Sequence, residues 1–293
     1  MAERGYAVHP GHRSHHLESS HAEHTLQHFV DSLAHWQHLK VAAPPNTVVV
    51  EPGGKTFTSI VAAIASITDA AIDKRYMVNV GTGTWEERVV LKPWIILSGA
   101  LDAQDEPATV IRKAADAYPN SGTVVAAPNS SIQNVKVVSY GTRTKTDLYA
   151  VVSTGADPFA VNNCLLSVDN QGVDIDGCAA LAIDFFASPA QPSNVWVSYT
   201  QLAATATATD DYPVAMGVGG NAIVQVNQSG LVANGRKQSA GAAGYDSSNV
   251  MLNMCKVTGQ TGSIVLPFFR DARWTARKCQ LTGPVDPNVK VIP

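Results

Sequence analysis

The chain has 293 residues, of which 45% are apolar and 15% charged, and its formal net charge is −3. This length suits one large domain or two ordinary ones. The charge balance has no basic excess, which argues against a nucleic-acid-binding protein. Few charges together with many small and β-branched residues favour an all-β solenoid, in which most side chains face neighbouring coils.

The first residues contain no apolar segment of the kind found in signal peptides, and no apolar run approaches the length of a membrane span. We therefore expect a protein that is made in the cytoplasm and binds no membrane. The four cysteines are scattered without a CxxC pair, at Cys164, Cys178, Cys255 and Cys279. This spacing argues against a zinc ribbon and favours buried thiols over disulfides.

Residues 1–45 are predicted to form an arm in front of the folded domain. The apolar positions of this arm recur at three- and four-residue steps, at Leu26, Phe29, Val30, Leu33, Trp36 and Leu39. Such a stripe indicates an amphipathic helix, and Pro44-Pro45 ends it. We expect Leu26, Phe29, Leu33 and Trp36 to dock the chain onto other protein subunits.

All nine histidines of the protein lie in this arm, between His9 and His38. His24 and His28 stand at i and i+4, a spacing that places two ring nitrogens on one helix face and could hold a metal ion. No Glu or Cys completes a ligand set. The alternative is a polar or pH-sensitive helix face that packs on another subunit. We predict no metal and no cofactor.

The stretch Thr47–Arg112 predicts the start of a solenoid. A β run at Val48–Val50 and a Gly turn precede a short helix with one apolar stripe, formed by Ile60, Ile64 and Ile67. Strands are predicted at Tyr76–Val80, Val89–Leu91, Ile95–Leu97 and Val110–Ile111, with a turn at 81–84. The first coil of a solenoid is an open edge, and the short helix can cover it.

From about residue 121 the predicted strands are short and regularly spaced. The segment Cys255–Gly259 repeats 24 positions later as Cys279–Gly283, with Cys, Thr and Gly at matching places. A repeat of this length in all-β sequence predicts stacked coils, with the cysteines pointing inward one above the other. We therefore expect residues 46–293 to form a parallel β-helix, with a β-sandwich or jelly roll as the alternative.

Part of this stretch resembles the pectin methylesterases. The matching segments are Glu51–Ile60 with Ala63-Ile64, then Lys74-Arg75-Tyr76, then Gly83–Glu87 with Val89-Val90, and then Ile96–Gly99 with Thr109–Ile111. The resemblance covers about 65 residues and implies the right-handed parallel β-helix of the pectin-lyase type.

In that family, as the resemblance implies, one aspartate attacks the ester and a second acts as general acid and base. Asp169 lies near a segment that resembles the strand before the family's Gln-Asp-Thr motif. Asp184, within Ala182–Phe186, resembles the family's Val-Asp-Phe-Ile-Phe segment. Both motifs depart from the family pattern in order, spacing or flanking glycines. Asp169 and Asp184 are thus the candidate catalytic residues if the protein is an enzyme.

These patterns lead to two hypotheses. The first is a non-catalytic structural or binding β-helix, docked by residues 1–45 into a larger assembly such as a virion or appendage surface. Such a protein would form a homo-oligomer, with a trimer favoured, and could bind a surface glycan. The second is a carbohydrate esterase or polysaccharide lyase that acts on an acidic polysaccharide.

Overall fold

The structure is a computed structural model that describes residues 46–54, 56–115, 122–141, 147–171, 177–184, 192–206, 212–235, 239–269 (266–269 by backbone alone) and 272–293. Within these ranges it contains one helix, α1 (Ile60–Ser66), and twenty-five β-strands.

In chain order the strands are β1 (Asn46–Val50), β2 (Tyr76–Val80), β3 (Gly83–Trp85), β4 (Val89–Val90), β5 (Ile95–Gly99), β6 (Thr109–Ala114), β7 (Val124–Val125), β8 (Ser130–Gln133), β9 (Val135–Tyr140), β10 (Asp147–Ser153), β11 (Phe159–Asn162), β12 (Leu165–Asp169), β13 (Gly177–Ile183), β14 (Asn194–Ser198), β15 (Gln201–Ala206), β16 (Pro213–Val218), β17 (Ile223–Asn227), β18 (Gly230–Gly235), β19 (Ala240–Asp246), β20 (Asn249–Asn253), β21 (Lys256–Gly259), β22 (Gly262–Phe269), β23 (Arg273–Arg277), β24 (Gln280–Thr282) and β25 (Lys290–Ile292).

The strands form three parallel sheets, and the chain visits them in rotation. Sheet 1 has ten strands in the order β1-β2-β5-β8-β11-β14-β17-β20-β23-β25, and sheet 2 has eight, from β3 to β24. Sheet 3 has seven strands, β4-β7-β10-β13-β16-β19-β22. Between β2 and β22, each turn of the chain adds one strand to each sheet, and the fold is a right-handed parallel β-helix. The predicted fold class is confirmed.

The core is a set of columns in which each side chain stacks on its equivalent in the next coil. One aliphatic column runs through sheet 1 and contains Val78, Leu97, Ile132, Val161, Val197, Val226, Leu252 and Ala276. All eight side chains are buried. Successive residues of a strand face opposite sides of the sheet. The residue after each member of the aliphatic column therefore points outward, and these residues form a polar column that includes Gln133, Asn162 and Asn227.

A single residue turns the chain from sheet 1 into sheet 2 in six of the coils. These corner residues have left-handed backbone angles, with φ between 47° and 58°, at Asn134, Asn163, Tyr199, Gln228, Met254 and Lys278. Asparagine tolerates this conformation well, whereas the other side chains occupy it only where stacked neighbours enforce it. The amides of Asn163 and Asn134 bond across coils, with Nδ2 donating to Oδ1 at 3.0 Å.

Helix α1 covers the first coil, as predicted, and a glutamate from a later segment holds its N-terminus. Ser59 is the N-cap and accepts from the Ala62 amide at 3.1 Å. The Glu87 carboxylate then accepts from the Ser59 hydroxyl at 3.0 Å and from the Val61 amide at 2.9 Å. A carboxylate at this end satisfies the free amides and matches the helix dipole.

A lysine holds the other end of the same helix. Lys92 Nζ donates to the carbonyls of Ile67, at 2.7 Å, and Ala65, at 3.2 Å. Cations are favourable at a helix C-terminus, where carbonyls lack intrahelical partners. Glu87 and Lys92 therefore clamp both ends of α1 from one segment around β4.

The predicted strands at Tyr76–Val80, Val89–Leu91, Ile95–Leu97 and 110–111 correspond to β2, β4, β5 and β6. The turn predicted at 81–84 is wrong in its second half, because Gly83–Trp85 is strand β3. Gly83 and Thr84 pair in parallel with Thr109 and Val110. Pairing with the next coil thus overrides the turn preference of a Gly-Thr sequence.

Candidate functional site

Asp184 follows β13 and is buried, with 1% of its surface exposed. Its Oδ1 accepts from the Gly155 amide at 3.0 Å and from the Ser193 hydroxyl at 2.9 Å. Its Oδ2 accepts from the Ser193 amide at 2.7 Å. The same Ser193 hydroxyl accepts from the Ala156 amide at 3.1 Å. Both carboxylate oxygens are therefore engaged in holding the corner between sheets 3 and 1.

Asp169 is the last residue of β12 and is exposed. Its Oδ1 accepts a hydrogen bond from the Gln171 amide at 2.9 Å, so Asp169 is the first residue of an Asx-turn. Strand β13 has seven residues and lies between the corner that follows Asp169 and the corner that contains Asp184. At the usual rise of a strand this places the two carboxylates roughly 20 Å apart. The structure does not bring the two sequence candidates together.

The outer face of sheet 3 carries a feature that sequence reasoning missed. A second apolar cluster, separate from the main core, contains Tyr149, Ala179, Ala182, Val214, Ala240 and Ala243, with Val152, Tyr212, Tyr245 and Val265 packed against it. Burial raises the pKa values of Tyr212 and Tyr245, so both stay neutral near pH 7. The signal in the sequence was the run of small residues in three consecutive sheet 3 strands.

Two polar side chains of this face lie close to the backbone of Gly177. A β-carbon at Gly177 would lie 2.7 Å from the Tyr149 hydroxyl and 3.0 Å from the Asp147 carboxylate. These two side chains therefore lie directly over the Gly177 backbone. Asp147 is buried, with 6% of its surface exposed.

A charged cluster lies on the outer face of sheet 2, in the first coils. Glu86 forms an ion pair with Arg112 at 2.8 Å and accepts from the Tyr140 hydroxyl at 3.2 Å. The Arg112 guanidinium stacks on the Tyr140 ring, 4.6 Å from its centroid. The contact with Tyr140 is the main cause that raises the pKa of Arg112. Because Glu86 contacts both Arg112 and Tyr140, the cluster joins three coils of the sheet.

A shallow depression of about 550 Å³ lies beside the C-terminus of α1 and is lined by Ile67, Thr68, Ala70, Lys92, Pro93 and Trp94. Its one charged group, Lys92, is already bonded to the helix carbonyls. No carboxylate is among the residues that line the depression.

Small polar side chains follow the corner residues and form an inward column. Its members are Cys164, Thr200, Ser229, Cys255 and Cys279. The side chain of one member accepts a hydrogen bond from the backbone amide of the member one coil earlier. The Cys164 amide donates to the Thr200 hydroxyl at 3.4 Å, and the Cys255 amide donates to the Cys279 sulfur at 3.4 Å. The predicted stacking of Cys255 and Cys279 is confirmed, since Lys256 pairs with Gln280.

The predicted arm residues Leu26, Phe29, Leu33 and Trp36, and the metal candidates His24 and His28, lie outside the described residues. Within the described ranges, no group of three or more His, Cys, Asp and Glu side chains is placed to hold a metal ion. No helix in the same ranges has the length and apolarity needed to cross a membrane.

No protein-family model matches the chain, and no curated protein sequence matches it. Solved structures, in contrast, do match the fold of the chain. Pectin methylesterase from Aspergillus niger superposes with a TM-score of 0.55 at 16% identity, covering 86% of this chain and 82% of that one. The enzyme from carrot gives 0.56 at 15%, covering 86% and 90%.

Pectin methylesterase from Erwinia chrysanthemi superposes with a TM-score of 0.50 at 12% identity, covering 84% of this chain and 92% of that one. Identities this low show the fold alone. The resemblance in the stretch Thr47–Arg112 thus extends, as a fold, over most of the chain: it is the right-handed parallel β-helix found in pectin methylesterases.

Proposed function

We propose that this protein is a non-catalytic structural and binding β-helix, held in a larger assembly by residues 1–45. The observation that carries the proposal is the position of Asp184. A nucleophilic carboxylate needs an oxygen that the substrate can reach, whereas Asp184 is 1% exposed and its oxygens accept hydrogen bonds from Gly155 and Ser193. Asp169, roughly 20 Å away, cannot serve as its acid–base partner.

The assembly we propose is a virion or appendage surface, with three copies side by side. Support comes from the apolar stripe Leu26, Phe29, Leu33 and Trp36, which needs a partner to be buried. The exposed face of sheet 1, with a column of amides and hydroxyls at Gln133, Asn162, Ser198, Asn227 and Asn253, suits a surface glycan as a further ligand.

The arm is tested with the full chain carrying Leu33→Asp and Trp36→Asp together. We expect a shift from oligomer to monomer in sedimentation velocity, with an unchanged β-sheet circular dichroism spectrum. The matched control is His28→Gln on the polar face, which should leave the oligomer intact. Removal of residues 1–45 should likewise give a folded monomer, and normal assembly of that truncated chain would overturn the docking role.

The second candidate function is a carbohydrate esterase or lyase acting on an acidic polysaccharide. The observation in its favour is the fold likeness to pectin methylesterases. We expect neither methanol nor unsaturated sugar to be released from methyl-esterified pectin. If either product is released, and if the Asp169→Asn variant has an unchanged melting temperature but releases none, the enzyme becomes the better of the two candidates.

A further inference from the structure

Cys255 and Cys279 occupy the same corner of two neighbouring coils. Each directly follows a left-handed corner residue, Met254 and Lys278, and each precedes paired strands, in which Lys256 lies opposite Gln280. Neighbouring parallel strands lie about 4.8 Å apart, within the Cα separations that a disulfide spans. The two side chains therefore point the same way, at a separation that a small adjustment can close.

The two thiols differ in their hydrogen bonds and in their exposure. Each thiol lies near carbonyls, Cys255 beside Asn253 at 3.3 Å and Cys279 beside Arg277 at 3.3 Å. The Cys279 sulfur, however, also accepts from the Cys255 backbone amide at 3.4 Å. Cys279 is half-buried, whereas Cys255 is buried, with 3% of its surface exposed. Cys279 is thus both the better acceptor and the more accessible thiol.

The charged residues around the pair are mostly basic. Those of β20–β21 and β23–β25, with the described corners between them, are Lys256, Arg273, Arg277, Lys278 and Lys290 and one acid, Asp286. Basic neighbours and hydrogen-bond donors stabilise a thiolate. The hydrogen bond with the Cys255 thiol lowers the pKa of Cys279 to about 6, and it raises that of Cys255.

Cys164, in the same column four coils before Cys279, has no cysteine next to it. Its successors in the column are Thr200 and Ser229, and burial raises its pKa to about 12. The column position alone therefore does not activate a thiol. Cys279 differs from Cys164 in the stacked second cysteine and in its exposure.

We propose that Cys255 and Cys279 are a reactive dithiol that exchanges with small-molecule disulfides. The Cys279 thiolate attacks one sulfur of the disulfide, and the other sulfur leaves as a thiolate that takes up a proton. The Cys255 thiol then loses its proton and attacks the Cys279 sulfur of the mixed disulfide, which releases the second small thiol. The products are one Cys255–Cys279 disulfide and two small thiols, so the disulfide oxidises the pair by two electrons.

The consequence for the fold is local. The new bond joins the corner between β23 and β24 to the corner between β20 and β21, one coil earlier. It encloses the segment between residues 255 and 279, which includes β21 to β23. Oxidation would therefore fasten the C-terminal coils while leaving the first coils unchanged.

The test uses the full chain and oxidised glutathione, with peptide mass spectrometry as the readout. We expect a Cys255–Cys279 linked peptide that has lost two hydrogens, while Cys164 and Cys178 stay in the reduced thiol form. Cys255→Ser should stop the reaction at a glutathione mixed disulfide on Cys279, while Cys164→Ser should leave the linked peptide unchanged. A Cys279 that remains unmodified in the native protein would overturn the proposal.

A second readout is the rate of iodoacetamide alkylation against pH. We expect Cys279 in the folded chain to react about tenfold faster at pH 6 than it does in the urea-unfolded chain, since its thiolate persists at lower pH. Cys255→Ser should move the midpoint of the profile upward by more than about one pH unit. A profile that Cys255→Ser leaves unchanged would contradict the paired arrangement, whatever the glutathione result.

Discussion

The first and last coils of this solenoid are closed in different ways. At the start, α1 lies over the first coil, and Glu87 and Lys92 hold its two ends through hydrogen bonds between residues 25 to 28 positions apart. At the other end no helix follows in the described residues. There β24 and β25 have three residues each, and Val291 is 52% exposed.

The comparison teaches where long-range polar contacts are needed. A helix that covers an open edge has unsatisfied amides and carbonyls at both ends, so charged side chains from the next segment are used to bind them. No such element lies over the last coils in the described residues, where polar contacts join neighbouring coils instead, as between Cys255 and Cys279 and between Trp274 and Ser248. Since contacts in a solenoid involve only neighbouring coils, each end should respond independently to substitution.

The largest effect is expected for Ile64→Ala, which removes a side chain that is 3% exposed from the interface between α1 and the first coil. The loss should be about 3 kcal/mol in the free energy of unfolding, from lost transfer energy and a residual cavity. Urea denaturation measures the loss. Hydrogen exchange should show faster opening of α1, β1 and β2 and unchanged protection in β20 to β23.

The control for this prediction is Val61→Ala on the same helix. Val61 is 44% exposed, so the loss should stay below about 0.5 kcal/mol. Equal losses for the two variants, or faster exchange at both ends of the solenoid after Ile64→Ala, would show that the two ends are energetically coupled.

Asp184→Asn tests whether a middle coil depends on a charged polar contact as the first coil does. The asparagine amide would face donor groups of Ser193 and Gly155, so at least one amide loses its acceptor. The expected loss is about 2 kcal/mol, because hydrogen bonds to a buried carboxylate are stronger than neutral ones. Thermal unfolding by calorimetry measures it.

Asp169→Asn provides the matched change at the exposed candidate. The Asp169 carboxylate accepts a hydrogen bond from one amide, that of Gln171. The loss in the free energy of unfolding should therefore remain below about 1 kcal/mol. Should Asp184→Asn be as mild as Asp169→Asn, the structural role given to Asp184 would be wrong, and its place in the proposed function would have to be reconsidered.

Glu87→Ala addresses the clamp on α1 directly. It leaves Val61 N–H and the Ser59 hydroxyl without their acceptor, and the expected loss is about 1 kcal/mol, typical for a helix cap. Glu106→Ala, at an exposed loop position, controls for the change in net charge. An equal loss in both variants, measured by urea denaturation in the same salt, would mean that the effect is general electrostatics.

The sequence was sufficient for the solenoid because its signals are local and repeated. The Gly turn at 52–54, the apolar stripe of α1 and the 24-residue offset between Cys255 and Cys279 each reappear in the structure. Strand β3 was missed, since Gly83 and Thr84 become extended only through pairing with β6. Pairing between coils is not encoded in the residues of one segment.

The candidate site was harder to predict for a related reason. Asp184 was selected from its neighbours in sequence, yet its partners Gly155 and Ser193 lie 29 positions before it and 9 after it. The apolar outer face of sheet 3 depends on alanines, valines and tyrosines of five strands, which come together only when the coils stack. The roles of Leu26, Phe29, Leu33 and Trp36 stay predictions.

The smallest effect is expected at the other end, for Cys279→Ser. The same column already contains Thr200 and Ser229, whose hydroxyls accept amides from neighbouring coils, so a serine should lower stability by less than about 0.5 kcal/mol. Cys279→Val is the control, because valine fills the space but offers no acceptor to the Cys255 amide. Its loss should approach 1 kcal/mol, measured by urea denaturation under reducing conditions. If serine were as damaging as valine, sulfur packing rather than the hydrogen-bonded column would hold the last coils together.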